Sequence, residues 1–237
     1  MTTVLLNKGH RSRNMKTALI TGANRGIGYE VARQLAAKGF RVFIGARNRD
    51  AGRKAADEIA KQGGKATFLE IDVADDNSVT AATREFAKAA DHLDVLVNNA
   101  GLMVDGDDAI LEISDDIFRK TLETNTLGAL RVTRAFVPLL AKSKAPRVIN
   151  VSSGGGQLTG GADGWSPAYC ISKTALNCVY VAARGGVAEI CGEFYLPGPG
   201  ADRYGWTERD ALGGRRRGHD RLARYRCAAK AYGEISA

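Results

Sequence analysis

Short runs of apolar and β-branched residues recur along the first two thirds of the chain, separated by stretches with helical spacing. The strand-like runs are Thr17–Thr21, Arg41–Ala46, 66–71, 93–97 and Arg147–Val151. Between them, apolar residues return every three or four positions. Ile27, Val31, Leu35 and Ala36 mark one face of the first such stretch, and Ala51, Ala55, Ile59 and Ala60 mark the second. A third covers 79–90 with Phe86 inward, and a long fourth covers 115–140 with Ile117, Phe118, Leu122, Leu130, Val137 and Leu140 inward. Strands alternating with helices in this way predict right-handed βαβ units and a parallel sheet. The predicted class is α/β, a single-domain, doubly wound, Rossmann-like sheet. Gly39, and Gly63 with Gly64, sit at helix stops. Ser114 is placed to cap the long helix, with Asp115 and Asp116 favouring its dipole.

The pattern weakens after about Asn177. A helix opening at Pro167 is expected to end before Gly185 and Gly186. The candidate sixth strand, 189–196, has mixed polarity and a glycine in its middle, and 201–237 shows no sustained apolar face. The expected organisation is a basic, disordered leader over 1–14, a catalytic-type domain over 15–200, and an atypical basic, Gly/Arg-rich segment over 201–237.

With 237 residues, 44% hydrophobic and 25% charged, the chain can bury one sizeable core. Its net charge of +8 is gathered at the two ends. Residues 1–16 carry four basic and no acidic side chains, and 201–237 carry nine basic against five acidic. The remainder balances, which argues against a nucleic-acid-binding face on the folded body. No apolar run is long enough to span a bilayer, and the N-terminus lacks the apolar stretch of a secretory signal. The cysteines, Cys170, Cys178, Cys191 and Cys227, form no CxxC pair and no metal-ligand cluster. The expectations are reduced thiols, a cytoplasmic location, no metal, no membrane and no nucleic acid.

The clearest chemistry lies in 21–28. Gly22, Gly26 and Gly28 follow the first strand and open the first helix, flanking Asn24, Arg25 and Ile27. Glycines there let the backbone approach a pyrophosphate, and the helix N-terminus offers it free N–H groups. At the end of the second strand, NAD-binding sites place an acidic group for the ribose, whereas NADP-binding sites place a basic one. This chain has Arg47, followed by Asn48. Arg25 and Arg47 together suit a dianionic phosphate, so the expected cofactor is NADP(H).

These residues resemble the short-chain dehydrogenase/reductase family, through several motifs in register over about 15–177. The glycine loop matches the family's Thr-Gly-x3-Gly-x-Gly form. Asp72 and Val73 look like its adenine-contacting pair, and the run Asn98, Asn99, Ala100, Gly101 like its Asn-Asn-Ala-Gly element. Asn125 matches a catalytic asparagine, Ser153 the catalytic serine, and Tyr169 with Lys173 the Tyr-x3-Lys signature. The resemblance implies that Tyr169 exchanges a proton with the substrate oxygen. Ser153 orients that oxygen, Lys173 lowers the tyrosine pKa and holds the ribose, and Asn125 anchors a relay water. It also places Pro199 and Gly200 near the cofactor. Independently, Tyr169 and Lys173 share a helix face, and a nearby ammonium favours a phenolate.

The glycine-rich run 154–167, with Leu158 and Trp165, is expected to line a substrate pocket, and its start resembles carbonyl reductase-like members. Residues 102–114 either touch substrate or pack inward. The expected function is reduction of an aldehyde or ketone, or the reverse, on a small molecule, with a homo-oligomer possible. The alternative is an NADP-binding protein without turnover, because the C-terminal substrate-covering region is atypical.

Overall fold

Leu19 faces one side of the sheet and Ala18 and Ile20 the other, and each finds a full layer of helices to pack on. A parallel strand covered on both faces must be apolar at every position, and all five residues of β1 (Thr17–Thr21) are buried. In the computed structural model, which describes residues 15–158, 165–183 and 191–195, six parallel strands run in the order β3-β2-β1-β4-β5-β6. The others are β2 (Arg41–Ala46), β3 (Lys65–Glu70), β4 (Val95–Asn98), β5 (Arg147–Val151) and β6 (Cys191–Tyr195). The order reverses between β1 and β4, which sets the crevice in which ligands bind doubly wound sheets.

One layer holds α1 (Gly26–Ala37) and α2 (Arg49–Lys61), packed on Ala18, Ile20, Val42, Ile44, Val95 and Val97. The other holds α3 (Asp76–Ala89) and α5 (Gly128–Leu140), packed on Leu19, Phe43, Leu69 and Leu96. There Phe86 stacks at 4.2 Å on Phe43 and edge-on at 5.4 Å on Phe136. Burying rings of this size stabilises the layer by about 1.5–3 kcal/mol each.

Three expectations change. In α2 the buried positions are Gly52, Ala55, Ala56 and Ile59, with Ala60 facing out. The long helix is not uniform: α4 (Asp115–Leu122) passes through a five-residue π segment, Glu123–Leu127, into α5. The wider turn shifts the downstream face, so Ala129, Val132, Phe136 and Leu139 are buried while Leu130 and Val137 are only partly so. The poorly patterned sixth strand does form, pairing in register with β5 from Arg147↔Cys191 to Val151↔Tyr195. Ser114 caps α4 as expected, accepting from the Ile117 N–H. The leader 1–14, the loop 159–164, the segment 201–237, and Pro199 and Gly200 lie outside the described residues.

Candidate active site

The site residues gather where the strands end. β1 runs into Gly22, whose φ of +65° is one that side chains disfavour. A Cβ at Gly28 would lie 2.4 Å from Asn99 Nδ2 and 2.7 Å from the Gly22 carbonyl oxygen, so only glycine lets α1 start this close to the loop. The loop is clipped from the side. Asn99 Nδ2 donates to the carbonyls of Thr21 (2.9 Å) and Gly22 (3.2 Å). Thr21 Oγ1 in turn accepts from the N–H groups of Asn99 and Ala100. Asn99 therefore shapes the loop through its side chain, and the sequence motif alone does not show this.

The first turn of α1 differs from those of α2, α3 and α4, which are capped by Asn48, Asp75 and Ser114. No side chain caps α1 and no acid stands in its first turn, an arrangement that suits a bound anion. Asn24 and Ile27 are half-buried in this loop and Arg25 is exposed on it. Beyond β2, Arg47 is exposed and has no ion pair among the described residues, whereas the neighbouring Arg49 is paired with Glu70. Asn48 is occupied as a cap, its Oδ1 accepting from the Ala51 N–H at 2.9 Å. After β3, Asp72 Oδ1 accepts from the Ala74 N–H. The Val73 side chain is buried in the second layer, and its carbonyl accepts from Arg131.

Ser153 follows β5, and Tyr169, Cys170 and Lys173 lie on α6 (Pro167–Ala183). The Ser153 hydroxyl acts on the Tyr169 phenol as a hydrogen-bonding neighbour that favours its ionised form. Ser153 Oγ also accepts from the Gly155 N–H at 3.2 Å, which fixes its direction. Lys173 is 4% exposed, and its Nζ donates to the Val151 carbonyl at 2.8 Å and stands 5.6 Å from the Tyr169 ring centre. Trp165 stacks obliquely on Tyr169 at 6.0 Å.

Burial dominates the electrostatics of the pair. Burial raises the phenol above its ordinary value, while the Ser153 hydrogen bond pulls the other way. Burial also lowers Lys173 from 10.5 to about 8. The ammonium is held on the Val151 carbonyl, and both groups lose hydration on burial, which disfavours their charged forms.

Asn125 sits in the π segment, 1% exposed. Its amide accepts from the Leu102 N–H (2.8 Å) and donates to the Leu102 carbonyl (2.9 Å) and to Ser172 Oγ (2.9 Å). Its neighbour Thr126 donates to the Ser172 carbonyl at 2.8 Å. Consecutive residues of a regular helix diverge by about 100°; the π turn lets both reach α6. Ser172 and Asp107 were not singled out by sequence. Asp107 is buried, and its two oxygens accept from the N–H groups of Ala168 and Tyr169 at 2.9 Å each. Among the described residues no cluster of His, Cys, Asp and Glu is placed to hold a metal. No described helix is long and apolar enough to cross a membrane.

Comparison with known proteins follows the same outline. The short chain dehydrogenase family model matches residues 16–189. The chain is similar to a (+)-neomenthol dehydrogenase of Arabidopsis thaliana, 36% identical over 170 residues, covering 63% of this chain and 57% of that protein. Among solved structures, it is similar to a metagenomic short-chain oxidoreductase in complex with NADP (TM-score 0.70, 30% identity, 78% of this chain and 83% of that one). It is also similar to an actinorhodin polyketide ketoreductase variant with NADPH (TM-score 0.71, 31% identity, 78% and 70%). The matched region spans between about half and three fifths of the first curated relatives. The motifs, the doubly wound sheet and these likenesses agree: the chain belongs to the short-chain dehydrogenase family.

Proposed function

We propose that this chain is an NADP(H)-dependent oxidoreductase that interconverts an aldehyde or ketone and the corresponding alcohol, acting on a small molecule in the cytoplasm. The observation that carries it is the gathering of Ser153, at the end of β5, and the Tyr169 phenol on which it acts, one helical turn from the buried Lys173.

The cofactor-binding half of this reading rests on the uncapped start of α1, with Gly22, Gly26 and Gly28 around it, and on Arg25 and Arg47 at the place of a 2′-phosphate. Asp72 and Val73 border the adenine position. Asn99, Ala100 and Gly101 form the floor of the crevice. NADP(H) supplies or accepts the hydride. In the proton half, Tyr169 gives its proton to the carbonyl oxygen in reduction and takes it back in oxidation, while Ser153 Oγ holds that oxygen in place. Lys173 faces the ribose side. Its pKa of about 8 keeps most of it charged at neutral pH. Asn125 braces Leu102 against α6. Its Oδ1 accepts one bond from the chain and has capacity for a second, where a relay water binds. Leu158, Trp165 and Met103 are exposed apolar side chains, which suit an apolar carbonyl compound.

The test is consumption of NADPH by the full-length protein against a panel of aldehydes and ketones. Tyr169→Phe is expected to abolish turnover and to leave NADPH affinity within about 2-fold, because the phenol oxygen acts on the reacting atoms alone. Retention of turnover in that variant refutes the mechanism.

A further inference from the structure

We propose that Asp107 is a positioning residue for Tyr169: its buried carboxylate, carried on the substrate-side loop, caps the catalytic helix and sets where the phenol meets Ser153. This rests on the reading of the site given above.

A helix leaves its first N–H groups without partners, and the usual remedy is a side chain immediately before it, in extended backbone. The caps of α2, α3 and α4 follow that rule. α6 does not. Its preceding residue, Ser166, has φ of +41°, outside the extended region that a local cap adopts. Pro167 opens the helix without an N–H. The next two N–H groups, those of Ala168 and Tyr169, each donate to one oxygen of Asp107, about 60 residues earlier in the chain. One of the two bonds is therefore to the backbone of the tyrosine itself.

Asp107 is 2% exposed and has no ion pair among the described residues. Burying a carboxylate without a counter-ion is costly, and the helix N-terminus with two N–H donors is what compensates it here. A neutral side chain fills the same space at less desolvation cost, so the charge has a positional role. The approach is built in: Gly106 has φ of +86°, turning the chain into the helix. The same loop is tied a second time at Leu102, through Asn125 to Ser172. Loop 102–114 and the start of α6 thus move as one body. A substrate bearing on the loop displaces, or seats, the phenol.

The experiment compares Asp107→Ala and Asp107→Asn with Asp105→Asn, an exposed acid on the same loop, in full-length protein. Two readouts are taken. One is kcat, KM and the NADPH dissociation constant. The other is the 19F resonance of Tyr169 in fluorotyrosine-labelled protein, assigned by its absence in Tyr169→Phe. Asp107→Asn keeps the volume and one acceptor, so kcat is expected to fall about 10-fold, and about 100-fold in Asp107→Ala, since small misplacements of a catalytic group cost this much. NADPH affinity stays within about 2-fold, and the Tyr169 resonance shifts in both. Asp105→Asn changes neither. Unchanged kcat and an unmoved resonance in Asp107→Asn overturn the inference. So does an equal loss of NADPH affinity and kcat, which denotes general loosening. If Tyr169→Phe keeps wild-type turnover, the catalytic reading itself fails, and the resonance still reports whether Asp107 holds the tyrosine.

Discussion

Lys173→Met separates what the site needs from what the fold needs. The ammonium is nearly excluded from water and bonds to the Val151 carbonyl. Burial alone brings its pKa from 10.5 to about 8. That difference corresponds to about 3 kcal/mol by which the charged side chain destabilises the folded state at neutral pH. Methionine has nearly the same length and no charge. It removes this cost and forfeits one charge-assisted hydrogen bond, worth about 1.5–3 kcal/mol. The balance is a gain of up to about 1.5 kcal/mol, which for a domain of this size raises Tm by up to about 6 °C. The gain depends on pH in a definite sense. The folded chain holds the Lys173 proton less tightly than the unfolded chain. Between about pH 8 and 10.5 the unfolded state therefore binds more protons, and wild-type stability from this group rises with pH. The advantage of Lys173→Met is largest at pH 7 and closes as pH climbs through that window. Thermal melts of both proteins from pH 7 to 10 measure it, and turnover of the variant is expected to be lost. A variant that melts below wild type at pH 7, or whose stability relative to wild type does not fall between pH 7 and pH 10, refutes the reasoning.

Two further substitutions test the cofactor half of the site. Arg47→Ala removes a charge-assisted contact worth about 1.5–3 kcal/mol and is expected to lower the preference for NADPH over NADH by about 10–100-fold. Arg49→Ala, whose partner is Glu70, leaves the ratio of the two dissociation constants unchanged. Gly28→Ala forces a methyl against Asn99 Nδ2 and the Gly22 carbonyl. It should cost about 1–3 kcal/mol in stability and weaken NADPH binding at least about 10-fold in a fluorescence titration; wild-type affinity there would mean that the loop is not the binding element.

The legible parts of the molecule are those whose cause is local in sequence. The alternation of apolar runs and helical faces placed five strands within a residue or two, because a covered parallel strand must be apolar throughout. The glycine loop, Arg47 and the Tyr169–Lys173 spacing were readable because each is defined within a few residues of itself. What escaped reading acts at a distance. Asp107 lies among Asp105, Asp108 and Glu112, and nothing in their spacing marks the one that turns inward to α6. Asn99 is marked by its motif, but nothing local shows that its side chain binds the Thr21 and Gly22 carbonyls. The π segment has no compositional signature: its residues, Glu123 to Leu127, fit a regular helix equally well. The sixth strand was poorly legible because its pattern is mixed, and its place depends on the open edge of β5.

That π segment has a consequence for heredity as well as for chemistry. It holds one residue more than a regular helix would need between α4 and α5. Loss of any single codon between 123 and 127 would let the helix close into uniform turns. Either Asn125 and Thr126 would then swing off Ser172, or Val132, Phe136 and Leu139 would rotate out of the aromatic layer. A one-residue deletion that an exposed loop would absorb strikes the core and the catalytic helix here together. The irregular turn is thus locked in place from both ends, and it should be the least deletable stretch of the long helix.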